Sequence, residues 1–168
     1  MTAAGACPQA YIITRRWQAT DDCGNTNTCN QIITVIDNVA PVITCPANIT
    51  IQCTASTLPA NTGLATATDN CDATAVITST DATLAGPCPQ SYRITRTWQA
   101  VDDCGNTSTC NQTIWIVDTT APLITCPANV TILCTSGTLP GTTGTATATD
   151  NCDAGPIITS SNTTVAGS

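Results

Sequence analysis

Lysine, glutamate, histidine and phenylalanine are absent from this 168-residue chain, and methionine occurs once. Without histidine or lysine there is no Ser-His-Asp or Cys-His nucleophile, no Schiff base and no imidazole metal ligand. Positive charge is scarce. Four arginines stand against eleven aspartates, for a formal net charge of −7. Such a chain cannot neutralise a phosphate backbone, so nucleic acid is not expected as a partner. No apolar run approaches the ~18 residues of a membrane-spanning helix, so no membrane insertion is expected. Residues 1–6 offer neither a charged n-region nor an apolar h-region, so no signal peptide is expected there.

Cysteine, by contrast, is abundant. Twelve cysteines, even in number and spread along the chain, read as disulfides formed in an oxidising compartment. The zinc alternative needs close pairs such as C-x2-C. The shortest spacings, Cys23–Cys29 and Cys104–Cys110, leave five residues between. Abundant threonine and an acid pool made only of aspartate fit an extracellular, β-rich surface.

The chain repeats itself. A shift of 81 residues overlays it on itself with 57 of 87 positions identical. WQATDDCGNTNTCNQ at 17–31 returns at 98–112, APVITCPANITIQC at 40–53 returns at 121–134, and ATATDNCDA at 65–73 returns at 146–154. Cys7, Cys23, Cys29, Cys45, Cys53 and Cys71 recur as Cys88, Cys104, Cys110, Cys126, Cys134 and Cys152. The stretches VIDNVAP (35–41) and IVDTTAP (116–122) lead into an X-Pro turn, as a linker does. Cut there, residues 38–118 form one complete module, 1–37 the back half of another, and 119–168 the front half of a third.

Period-two alternation dominates the module. Tyr92, Ile94, Arg96, Trp98 and Ala100 alternate with Arg93, Thr95, Thr97 and Gln99, and Cys110, Gln112, Ile114 and Ile116 alternate with Asn111, Thr113, Trp115 and Val117. Short strands are expected over 43–53, 64–69, 75–80, 91–101 and 109–117, with almost no helix. Arg15 and Arg96 fall on the inward face and are read as strand-end arginines reaching solvent or an aspartate. Trp17 and Trp98 face inward, whereas Trp115 points outward.

The motifs P-x-I-T-C-P-x-N-x-T, A-T-D-N and W-Q-A-x-D-x-x-G-N-x-x-x-C-x-x-x-I resemble the hyalin repeat, an immunoglobulin-like module of extracellular adhesion proteins. The resemblance covers essentially the whole chain. It implies an all-β fold of tandem Ig-like β-sandwich modules and an extracellular or cell-surface location. Six cysteines per module exceed the family's pattern. Placed on that topology, Cys45, Cys71, Cys104 and Cys110 lie at one pole and Cys53 and Cys88 at the other. The expected pairs are then Cys45–Cys110, Cys71–Cys104 and Cys53–Cys88. The half modules complement each other between chains, with Cys7–Cys134, Cys23–Cys152 and Cys29–Cys126 as the expected inter-chain bonds. Such a head-to-tail contact propagates into an open filament, with a hairpin donated in a form of strand complementation. The alternative is a window on a longer tandem protein.

Aspartates gather in Asp-Asn-Cys-Asp and Asp-Asp-Cys-Gly-Asn loops. Asp37, Asp69, Asp72, Asp102 and Asp103 converge on one junction, and Asp118, Asp150, Asp153, Asp21 and Asp22 are their counterparts. Carboxylates so crowded suit Ca²⁺; the competing reading is turn capping. Asn48, Asn106, Asn111, Asn129 and Asn162 are candidate glycosylation sites. Paired aspartates could serve a glycosidase, but they sit beside structural cysteines in tight loops, so no enzyme is expected. The expected function is a structural part of an extracellular filament that binds itself head to tail. The alternative is an adhesin segment that binds a glycan or a surface partner.

Overall fold

The computed structural model describes residues 2–4 and 7–165, so the outer ends of the first and last expected segments lie outside the described residues. In chain order the elements are β1 (Thr2–Ala4), β2 (Tyr11–Thr20), β3 (Thr26–Val35), β4 (Val42–Thr44), β5 (Ile49–Gln52), α1 (Pro59–Thr62), β6 (Thr66–Thr68), β7 (Val76–Ala85), β8 (Tyr92–Val101), β9 (Thr107–Val117), β10 (Leu123–Thr125), α2 (Pro140–Thr143) and β11 (Thr147–Thr149). The chain is mostly β, as the alternation predicts.

Residues 38–118 hold the core. A four-stranded sheet runs β5-β9-β8-β7, with β5 parallel to β9 and the other neighbours antiparallel. The β4-β6 pair packs on it through β4, against β8 and β9. Alternation puts Ile94, Trp98 and Ala100 of β8 and Ile114 and Ile116 of β9 on the buried face.

The single strand expected over 43–53 is broken in two. Cys45 to Asn48 interrupt it, and Pro46 has no N–H to give to a ladder. β4 therefore stays with β6, while β5 crosses to β9. Gly63, at φ +106°, lies against Pro46; a Cβ there would meet Pro46 Cβ at 2.7 Å. The one-turn helices α1 and α2, each opened by a proline, were not expected.

The flanking segments repeat parts of this unit. β2 and β3 form a hairpin in the register of β8 and β9, with Trp17 opposite Cys29 as Trp98 is opposite Cys110. Each hairpin turns through Asp-Asp-Cys-Gly-Asn, where Asp21 or Asp102 accepts backbone N–H bonds through Oδ1 and Gly24 or Gly105 takes φ +87°. β10 and β11 repeat the β4-β6 pair. Among the described residues, the counterparts of β5 (130–133) and of β7 (157–165) form no strand.

Candidate self-assembly interface

The same hairpin occurs twice with its core face in opposite states. In β8–β9, Trp98 is 4 % exposed and Gln112 fully buried; in β2–β3, Trp17 is 54 % exposed and Gln31 is open to solvent. The hydrogen bonding changes accordingly. Gln31 accepts the Trp17 indole N–H at 3.2 Å. Its counterpart Gln112 instead donates to the carbonyls of Thr62 and Ala47, at 2.6 and 3.0 Å. Arg15 lies over the Trp17 ring, exposed. Arg96 is 2 % exposed and holds both oxygens of Asp81, Thr62 Oγ1 and the Thr57 carbonyl. Arg96 thus reaches an aspartate, as expected, but from the middle of β8 rather than from a strand end.

At the other end of the chain lies the matching hollow. A groove of about 460 Å³ is lined by Ile124, Cys126, Pro127, Gly144, Ala146 and Ile158. Their counterparts Ile43, Cys45, Pro46, Gly63, Ala65 and Ile77 belong to the module that β8–β9 completes. Residues 130–133 have no β9 beside them, and Val130, Ile132, Leu133 and Ile157 are exposed. The counterparts of Val130 and Ile132, Ile49 and Ile51 of β5, pack against the core cluster around Ile94, Ile114 and Ile116. Strand formation here depends on the partner strand, not on the local sequence.

Three disulfides are present: Cys7–Cys104, Cys45–Cys110 and Cys53–Cys152, with Cα–Cα distances of 4.9, 5.9 and 6.0 Å. Two expected pairs within the module, Cys71–Cys104 and Cys53–Cys88, are not made, because the bonds cross the linkers instead. Cys53 follows β5 and gives its N–H to the Val117 carbonyl, at the exit of the module. There the loop carrying Cys152 reaches it beside Asp118. Cys104, at the opposite pole, meets Cys7 from the preceding segment. These bonds also use up Cys7 and Cys152, which corrects the expected Cys7–Cys134 and Cys23–Cys152 links between chains. Cys23, Cys29, Cys71, Cys88, Cys126 and Cys134 are unbonded and exposed.

No protein family, curated protein or solved structure matches this chain.

The acidic loops separate into two kinds of residue. Asp37, Asp69 and Asp102 bring carboxylate oxygens within 4.8 Å of one another. Asp72 is turned away: it caps Thr74 with one oxygen and takes the Asp103 N–H with the other. Asp103 is exposed. At the second linker, Asp150 caps Cys152 and Asp153, while Asp118 lies against the Cys53–Cys152 bond. Asp21 and Asp22 stand exposed on the bare hairpin. Desolvation opposes the charge on Asp102, but hydrogen bonds from Asn106 and from the backbone of Cys104 and Gly105 outweigh it. They hold the carboxyl below its usual range. Desolvation, then the charges of Asp37, Asp69 and Asp102, push the Cys71 thiol up.

Among the sequons, Asn106 donates through Nδ2 to Asp102 Oδ2 and the Asp37 carbonyl, so the nitrogen a glycan would take is already engaged. Asn48 accepts the Thr113 N–H, Asn111 accepts the Thr97 hydroxyl, and Asn129 and Asn162 are exposed. Trp115 is exposed, across the ladder from Thr50 and Arg93. Sequence reasoning missed Asp81 and Gln112. The signal for both was their alignment with inward positions: Gln112 lies directly opposite Arg96 on β9, and Asp81 opposite it on β7. Among the described residues, no helix is long and apolar enough to cross a membrane.

Proposed function

We propose that this chain is a structural component of an extracellular filament or surface fibre, in which Ig-like modules join head to tail. The observation that carries this reading is one hairpin sequence found twice, covered once and bare once, in a chain that also carries the matching empty groove. The β2–β3 hairpin of one copy fills the groove of residues 119–165 in the preceding copy, as β8–β9 fills its counterpart. The contact is heterologous and leaves a free groove on one copy and a free hairpin on the other, so it propagates head to tail. The sheet order, with β5 parallel to β9, and the hyalin-repeat motifs support the Ig-like assignment. The disulfides fit an oxidising, extracellular setting. The function is mechanical, and no reaction is assigned to the chain.

In this reading Asp37, Asp69 and Asp102 hold Ca²⁺ at the joint. Asp37 Oδ2 and Asp69 Oδ2 are shielded from solvent without a hydrogen-bond partner, and an all-oxygen donor set suits Ca²⁺.

The test is electrophoresis and negative-stain microscopy of the oxidised protein. Filaments, and heavy species that collapse to the 17.2 kDa chain on reduction, are expected. A monomer in both lanes, with no filaments, refutes the reading.

A further inference from the structure

The three internal disulfides obey one rule. Cys104, Cys110 and Cys152 are the repeat counterparts of Cys23, Cys29 and Cys71. Each bond therefore runs from Cys7, Cys45 or Cys53 to the cysteine one repeat further on that corresponds to Cys23, Cys29 or Cys71. The unbonded cysteines are the remainder that this rule leaves. The rule assigns Cys23, Cys29 and Cys71 partners one repeat earlier, and Cys88, Cys126 and Cys134, the counterparts of Cys7, Cys45 and Cys53, partners one repeat later.

We propose that the partner of these six thiols is a second copy of this chain, through three disulfides per junction: Cys88–Cys23, Cys126–Cys29 and Cys134–Cys71, the second residue of each pair coming from the following copy. This pairing rests on the head-to-tail reading above. Six thiols admit about 15 pairings, and this is the one that continues the internal rule and leaves no cysteine over.

Local surroundings agree at each site. Cys126 lines the empty groove, and Cys29 sits opposite Trp17 on the hairpin that fills it. Together they reproduce Cys45–Cys110. Cys134 follows residues 130–133, whose counterpart β5 pairs in parallel with Ile114–Val117. The corresponding partner is Ile33–Ile36, which ends at Asp37. Asp37 is a charged neighbour of Cys71, as Asp118 is of Cys53 and Cys152. The Cys134–Cys71 bond thus recreates the setting of Cys53–Cys152. Cys88 lies in the turn before β8, as Cys7 lies in the turn before β2, and Cys23 occupies the Cys104 position of the other hairpin.

The edge strand also completes itself. β1 pairs with Tyr11–Ile13 of its own chain. In the β7 register, Ile157–Asn162 of the preceding copy pairs with Arg15–Thr20, and Arg15 meets Asn162 where Arg96 meets Asp81.

Each bond forms by thiol–disulfide exchange with oxidised glutathione. One cysteine thiolate attacks the glutathione disulfide and releases one glutathione thiol. The second cysteine thiolate then attacks the mixed disulfide and releases the other. Two protein thiols are oxidised, one small disulfide is reduced, and the two protons pass from the protein thiols to the two glutathione thiols formed.

The test mixes natural and ¹⁵N-labelled chains, oxidises them with glutathione disulfide and digests them at acid pH for mass spectrometry. Linked peptides 23–88, 29–126 and 71–134 carrying both isotope compositions are the expected result. Filaments linked through other pairs overturn the pairing but leave the filament reading standing; monomers with six free thiols overturn both. A Cys88→Ser variant provides a second readout. In its filaments one thiol per chain should become open to alkylation, and it should be Cys23. Alkylation at any other cysteine overturns the register.

Discussion

Trp17 offers the most direct energetic test of head-to-tail assembly. It holds the same place in its hairpin as Trp98, so docking should lower its exposure from 54 % to 4 %. About half of a tryptophan surface of ~250 Å² then leaves water. At ~25 cal/mol per Å² this amounts to ~3 kcal/mol per junction, or about 200-fold in the association constant. The measurement should be made without inter-chain disulfides, in a background where Cys23, Cys29, Cys71, Cys88, Cys126 and Cys134 are serine and the three internal bonds remain. Sedimentation equilibrium of Trp17→Ala in that background should show association weakened by about two orders of magnitude, with an unchanged melting temperature for the dissociated subunit. Trp98→Ala should do the reverse, costing ~3–5 kcal/mol of subunit stability as a core truncation. Equal association of Trp17→Ala and its parent would refute the docking argument.

Other residues yield further expectations. Arg96→Met removes a guanidinium that is 2 % exposed and leaves Asp81, whose side chain is 39 % exposed, to rehydrate. Urea unfolding should show a loss of ~2–3 kcal/mol, below the 3–5 typical of a fully buried pair; no loss would mean that the pair is only a surface contact. Gly63→Ala places a Cβ against Pro46 at a positive φ, and should lower the melting temperature more than Gly24→Ala, where nothing lies within 4 Å. The Asp102 carboxyl has a depressed folded pKa, so its stabilisation is complete above the usual ~3.9 and is lost as pH falls through the lower folded value. The melting temperature should hold from pH 7 to about 5 and drop below about 4, and Asp102→Asn should flatten that drop. Calorimetric titration with Ca²⁺ should give heat with the parent and much less with Asp69→Asn; silence with the parent would leave turn capping as the role of these loops.

Strand positions were legible because alternation is a local signal. The expected 91–101 and 109–117 differ from β8 and β9 by at most two residues at either end. The interruption between β4 and β5 has a local signal in Pro46, which lacks an N–H for a ladder, but the alternation of 43–53 runs across it and masks it. Of the three pairs expected within the module, Cys45–Cys110 was legible and is made, but the partners of Cys53 and Cys104 were not. A repeat has the same spacing whether a cysteine bonds within its own unit or across the linker to the next, and only the fold separates the two. Residues 130–133 mark the same limit from the other side. VTIL matches the β-forming ITIQ of β5 in pattern, yet it forms no strand without a β9 beside it.

The Cys45–Cys110 bond decides how a fibre of this kind would respond to pulling. Tension entering at the 35–41 linker reaches Cys45, crosses the disulfide to Cys110 and leaves along β9 towards 118. The 65-residue separation spanned by that bond lies outside the force path. β6, β7 and β8 cannot be drawn out while it stays closed. With Cys126–Cys29 in place at the next joint, the tensioned backbone in each repeat is only the stretch from Cys110 to Cys126. Those 16 residue steps extend to at most ~55 Å at ~3.4 Å each. A thread built this way gives up almost no hidden length under load, and a reductant would turn it from a cable into a spring.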